Sequence, residues 1–206
     1  PATLELYHTR GNGSDKWPSS VSTADAALTF NVAAGTNGNP AERLRIDSSG
    51  RALQGSSASR TIAITAASPQ SQLEGVGSNA SSFAIICNQN ASAGPVISLG
   101  KTRGGAVGGT TVVQSGDSLG HISFEGSDGS NQRSGARITA SVDGTPGSSD
   151  MPGRLVFFTT PDGSATEAER LRITSAGIIQ CGTSGVLKAE INNAVNGHQF
   201  ISQCDN

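Results

Sequence analysis

The sequence predicts an all-β fold of short strands with little or no helix, and three observations carry that prediction. Short runs alternate apolar and polar side chains, the period-two signature of a half-buried strand. Asp-Gly and Gly-rich breaks punctuate these runs, as tight turns between strands require. Finally, the phrase Glu-Arg-Leu-Arg-Ile occurs twice, at 42–46 and at 169–173, with a glycine four residues after the isoleucine each time (Gly50, Gly177). Internal repetition of this kind belongs to repeat architectures.

The repeat extends beyond those five letters. Residues 26–32 parallel 153–159, and Gly55-Ser-Ser parallels Gly182-Thr-Ser, all at one offset of 127 (182 minus 55). Farther upstream Thr9-Arg10-Gly11 parallels Thr102-Arg103-Gly104 at an offset of 93, so the first copy reads as 34 residues shorter (127 minus 93), about the length of Ser118 to Pro152. Phe83–Cys87 is faintly echoed by Phe200–Cys204. The expected organisation is a shortened first module over 1–55, a full second module over 56–182, and the start of a further module or distal segment over 183–206. A chain that opens at Pro1 and stops inside a repeat reads as a segment of something longer.

Composition then limits how such strands can be stabilised. About one residue in five is Leu, Ile, Val or Phe, there are 27 glycines, and net charge is only -2. So little apolar side chain struggles to offset about 1 to 2 kcal/mol of backbone entropy per residue. The expected remedy is that neighbouring chains complete the core. Acids and bases are balanced (16 against 14) and dispersed, which argues against a nucleic-acid face. No window is apolar enough to predict membrane insertion. Cys87, Cys181 and Cys204 are widely spaced and read as small buried hydrophobes of a reducing compartment.

In chain order, Leu4–Thr9 alternates, and the Pro18-Ser-Ser stretch after Trp17 reads as a loop with Trp17 as a structural anchor. Ala26, Leu28, Phe30 and Val32 alternate with Ala27, Thr29 and Asn31. Leu44 and Ile46 share a face opposite Arg43 and Arg45, so the two arginines are expected to point together, and Asp47–Gly50 turns the chain. Ile62 and Ile64 open the next module, and 66–77 is the one stretch where a helical turn is conceivable. Phe83–Cys87 is apolar on both faces and reads as a buried strand, with Val96–Leu99 another short one. Arg103–Gly109 lacks the Lys-Ser/Thr ending of a phosphate loop and reads as a turn. Ile122 and Phe124 then oppose His121 and Ser123, while Ala136, Ile138, Ala140 and Val142 oppose Arg137, Thr139, Ser141 and Asp143. Asp128-Gly129, Asp143-Gly144 and Asp162-Gly163 mark turns.

Chemical motifs are thin. Gly116-Asp117-Ser118-Leu119 spells the nucleophile signature of a lipase and esterase family, but that family serves its serine with an Asp-x-x-His pair. The residues three before His8, His121 and His198 are Glu5, Ser118 and Val195, so the base is missing. Glu125, Asp128, Asp143, Asp150 and Asp162 could supply a glycosidase acid pair, yet all but Glu125 sit beside Gly, Ser or Met in turns. The histidines lie far apart, outside metal-ligand spacing. No catalytic, cofactor-binding or metal-ligating residue is assigned, and the expectation is that the chain is not an enzyme.

Pro95–Gly104, Val113–Gly129, Val142–Gly147, Asp150–Phe157 and the second Glu-Arg-Leu-Arg-Ile together resemble the repeat modules of bacteriophage tail fibres. The resemblance covers most of 71–182, with a shortened version over 1–55. It implies an intertwined homotrimeric fibre on the virion, partnered by two further copies of itself and by other tail or fibre proteins. The distal end of such a fibre attaches to a host surface glycan or outer-membrane receptor. The alternatives it leaves are a tailspike-type glycan depolymerase and a trimeric adhesin of a cellular appendage.

Overall fold

A computed structural model describes residues 3–9, 16–33 and 38–182. They fall into two compact units, one from the first 100 residues with 123–136, the other from 101–122 with the chain after 136. Both are built on β-sheet.

The first sheet runs in sequence order: β1 (Thr3–Thr9), β2 (Lys16–Ala24), β3 (Ala27–Ala33), β4 (Pro40–Ile46), β5 (Ala52–Gln54) and β6 (Ser71–Leu73). Its neighbours are antiparallel except β5 and β6, which are parallel. Pro18 lies inside β2, opposite Tyr7, and not in a loop. Ala24 pairs with Ala27 across a two-residue turn, whose residues Asp25 and Ala26 both have positive φ (50° and 58°). This is the hairpin geometry that Asp-Gly would satisfy without strain.

The second sheet has the order β11-β10-β9-β8-β7, from β7 (Ser118–Ser127), β8 (Gln132–Val142), β9 (Gly153–Thr159), β10 (Ala168–Ile173) and β11 (Ile179–Cys181). The base of the β7–β8 hairpin belongs to the second unit and its tip to the first. A 3-10 turn at Ser78–Ser81 is the helical element among the described residues. It lies just beyond the stretch where one is expected, and that stretch instead carries β6.

The repeated phrase builds the same object twice. Leu28 pairs with Ile46 and Phe30 with Leu44, as Leu155 pairs with Ile173 and Phe157 with Leu171. In both copies the register then shifts: Asn31 faces Glu42 and Phe158 faces Glu169, leaving Arg43 and Arg170 as the extra residues of a β-bulge. The bulge overturns the expectation that the two arginines of each phrase share a face. It turns Glu42 to the side of Arg45, whose Nε and Nη2 each donate to the carboxylate at 2.9 Å. Arg172 grips Glu169 in the same way. The carbonyl of the bulged arginine accepts from the amide of Gly55 in one copy and Gly182 in the other. In the upstream match Thr9 closes β1 whereas Thr102 lies outside any strand, and Arg10 and Gly11 lie outside the described residues.

Few side chains are buried. The apolar ones are Ala27, Leu53, Val113, Val142 and Val156, and Thr29, Thr139 and Ser141 are buried with them. Phe83–Cys87 and Val96–Leu99, expected as strands and the former as buried, are exposed and outside any strand. A strand exists only when something pairs with it, and among the described residues nothing does. Cys87 is exposed and Cys181 half-buried, so the reading of both as buried hydrophobes does not hold. The Trp17 and His8 side chains, and residues 183–206 with His198 and Cys204, lie outside what is described.

Candidate functional site

The alternation read from the sequence is real, but the covered face is the unexpected one. On β3, Thr29 is 3% exposed while Leu28 and Phe30 are each 37% and Val32 48% exposed. Cross-strand register carries this over the sheet, because directly opposed residues share a face. Leu4, Val21, Phe30 and Leu44 form one row across four strands, with Leu28 and Ile46 beside it. Leu4, Leu44 and Ile46 are 62%, 36% and 41% exposed. The opposite face is closed by short polar side chains. Ser22 and Thr29 hydroxyls lie 2.8 Å apart, and Asn31 donates to Ser20 and Ser22. The Glu42–Arg45 pair is half-buried on the same side.

The second sheet repeats the theme in part. On β8 Thr139 and Ser141, expected to face solvent, are buried and Ile138 is only half-buried, although Val142 on the Ile138 face is fully buried. On β10 and β11, Ile173 and Ile179 share an exposed face. In β7, Ile122 and Phe124 are 54% and 55% exposed.

Ser118 does have a histidine beside it, which the sequence argument missed. Its Oγ is 3.0 Å from Nε2 of His121, three residues on. Three residues apart is a spacing that strand alternation places on opposite faces, so no local signal pointed to the contact. The other ring nitrogen decides the chemistry. Nδ1 of His121 lies 3.0 Å from Oγ1 of Thr139 and 3.4 Å from Nη1 of Arg137. A guanidinium only donates, so the Arg137 contact favours Nδ1 as acceptor and the ring proton on Nε2. In that tautomer Nε2–H donates to Ser118, whereas a general base needs a bare Nε2 and a proton on Nδ1.

Arg137 organises this cluster. It donates to Glu167 at 2.7 Å and to Thr139 at 2.7 Å, and its guanidinium lies 4.2 Å from the Phe158 ring centroid. Burial and the Arg137 charge push the His121 pKa below the ordinary histidine value, although Glu167 opposes them.

The candidate acids are occupied in structural ways. Glu125 accepts from the backbone amides of Ala63 (2.8 Å) and Ile64 (3.2 Å), pinning the 62–67 turn to the hairpin tip. Asp128 accepts from the amides of Ser130 and Asn131 and from Arg133, which together hold its carboxyl far below the usual carboxylate range. Asp143, its pKa lowered first by the Ser175 amide and then by Arg154, fastens the 174–177 turn. Asp150 bridges Gly147 across a tight turn, and Asp162 lies in an exposed turn. Within the first unit, a groove of about 580 Å³ separates Arg60–Ala63 from Ser127–Arg133. Its two guanidiniums are each paired, Arg60 with Glu74 and Arg133 with Asp128. Among the described residues no three of His, Cys, Asp and Glu converge.

The chain is similar to the carboxy-terminal domain of the bacteriophage T5 L-shaped tail fibre, with a TM-score of 0.61 at 14% identity, over 97% of this chain and 88% of that one. The fold is tail-fibre-like. The same T5 domain solved with its intramolecular chaperone domain matches with a TM-score of 0.63 at 15% identity, over 98% of this chain. This chain spans 61% of that longer one. No protein-family model and no curated protein matches the sequence.

Proposed function

We propose that this chain is a non-catalytic structural segment of a bacteriophage tail fibre, working in the virion as a homotrimer and supporting attachment to the host cell surface. The observation that carries the reading is the inverted sheet. Apolar rows that would normally form a core face outward, on a fold shared with a tail-fibre domain, and two further copies of the chain would cover them. Burying one such Leu or Phe contributes about 1.5 to 3 kcal/mol, so a row of them is ample to hold copies together. A closed threefold assembly covers the same face on every copy and leaves no open end. The Ser118–His121 pair fits a structural role, because the Arg137 donor beside Nδ1 favours the tautomer whose proton faces the serine. Contacts with other fibre proteins and with a host glycan or outer-membrane receptor belong to the same reading.

Light scattering on the purified chain tests it. The expected mass is about 62 kDa, three times 20.7 kDa. A folded, stable monomer of 20.7 kDa would overturn the reading.

A further inference from the structure

Residues 75–100 contain no charged side chain, and every residue from 75 to 103 is exposed. Within this stretch two arms without regular structure, 83–89 and 93–100, flank a bend at 90–92. They carry Phe83 and Ile86 (both 78% exposed), Val96 (77%), Ile97 (74%) and Leu99 (55%). Among the described residues, no backbone hydrogen bond to another backbone group involves 83–100. The hydrogen bond within this stretch is instead the Gln89 side chain donating to the Ala93 carbonyl at 2.8 Å.

This combination is unfavourable for a solvated segment. Unpaired backbone beside adjacent apolar side chains, without a charge or a bulge to blunt it, is an association surface. Side chains that are apolar at successive positions, as at Ile85-Ile86 and Val96-Ile97, suit a strand covered on both faces. Among the described residues nothing covers either face or pairs with either edge.

We infer that the two arms are strands whose hydrogen-bonding partners lie in neighbouring copies of this chain. The occupant is a copy because 26 uncharged residues offer no charge pattern for a different partner to match, while self-pairing through backbone groups needs none. Each copy also brings open sheet edges, since β1 and β6 end one sheet and β7 and β11 the other. The inference rests on the trimer reading and goes further, naming the segment that exchanges strands.

Hydrogen–deuterium exchange on the full 206-residue chain, run beside light scattering, separates the two. The expected result is a trimer in which amides of 83–87 and 96–99 exchange at least about tenfold slower than unprotected amides. Cys87, exposed in the single chain, should then react with iodoacetamide at least about tenfold slower in the trimer than in denaturant. A trimer whose arms exchange freely and whose Cys87 reacts at the denatured rate overturns this inference and leaves the trimer standing. A folded monomer overturns both.

Discussion

At the scale of single residues, His121 shows how one neighbour sets a chemical role. Burial and then the Arg137 charge beside Nδ1 disfavour the imidazolium, so the folded-state pKa lies below that of the unfolded chain. The unfolded chain therefore takes up a proton first as pH falls. Stability is lost from about pH 6.5 downward to the folded pKa, and is constant below it. The urea midpoint is expected to drop between pH 7.5 and 5.5, and His121→Gln, which cannot titrate, should flatten that drop. An equal pH dependence in the variant would show that His121 is not the group responsible. The contact was not legible in the sequence because Arg137, Thr139 and Glu167 converge on the ring from other strands and loops. The role of Asp128 was more legible, since it acts as the turn acid that its Gly neighbour announced, whereas Asp143 fastens a turn 32 residues away.

The element scale is governed by the bulge. A bulge lets residues three apart on one strand meet, which regular alternation forbids, and so it builds a bidentate Glu–Arg clasp in each copy. Its geometry assigns different weights to two arginines that look equivalent in the phrase. Arg172 is clasped and only partly exposed, whereas Arg170 is exposed and donates to the Thr159 hydroxyl at 2.8 Å. Arg172→Ala should lower stability by about 1 kcal/mol and Arg170→Ala by no more than about 0.5, read from thermal or urea unfolding. The same order should hold for Arg45→Ala against Arg43→Ala. If the bulged arginine proves the costlier loss in both copies, the clasp is not what the phrase is for.

For the whole molecule, the question is what covers the apolar face. Leu44 is 36% exposed and Leu171 half-buried in one chain. Left that way, truncating either should cost about 1 kcal/mol or less. Covered by neighbouring copies, they become core residues, and Leu44→Ala and Leu171→Ala should each cost about 2 to 5 kcal/mol, well beyond the arginine changes. Melting of the assembled protein measures this directly. Small, chain-autonomous effects for both leucines would remove the apolar face from the interface.

Local chemistry alone was enough to establish the all-β class, the turns after Asp47 and at Asp128-Gly129 and Asp162-Gly163, and the shared role of the two Glu-Arg-Leu-Arg-Ile phrases. Alternation is a property of neighbouring residues, Asp-Gly is selected by its own backbone angles, and an identical phrase met Leu and Phe at the same two partner positions and produced the same register and bulge twice. Three things were decided only in the folded chain. Alternation says that the two faces of a strand differ and not which one is covered, so Thr29 could be buried beneath its sheet while Phe30 faces out. The bulge is a relation between two strands, so the phrase alone could not separate Arg43 from Arg45. Phe83–Cys87 carries the composition of a buried strand, but burial depends on what packs against a segment, and among the described residues nothing packs against this one.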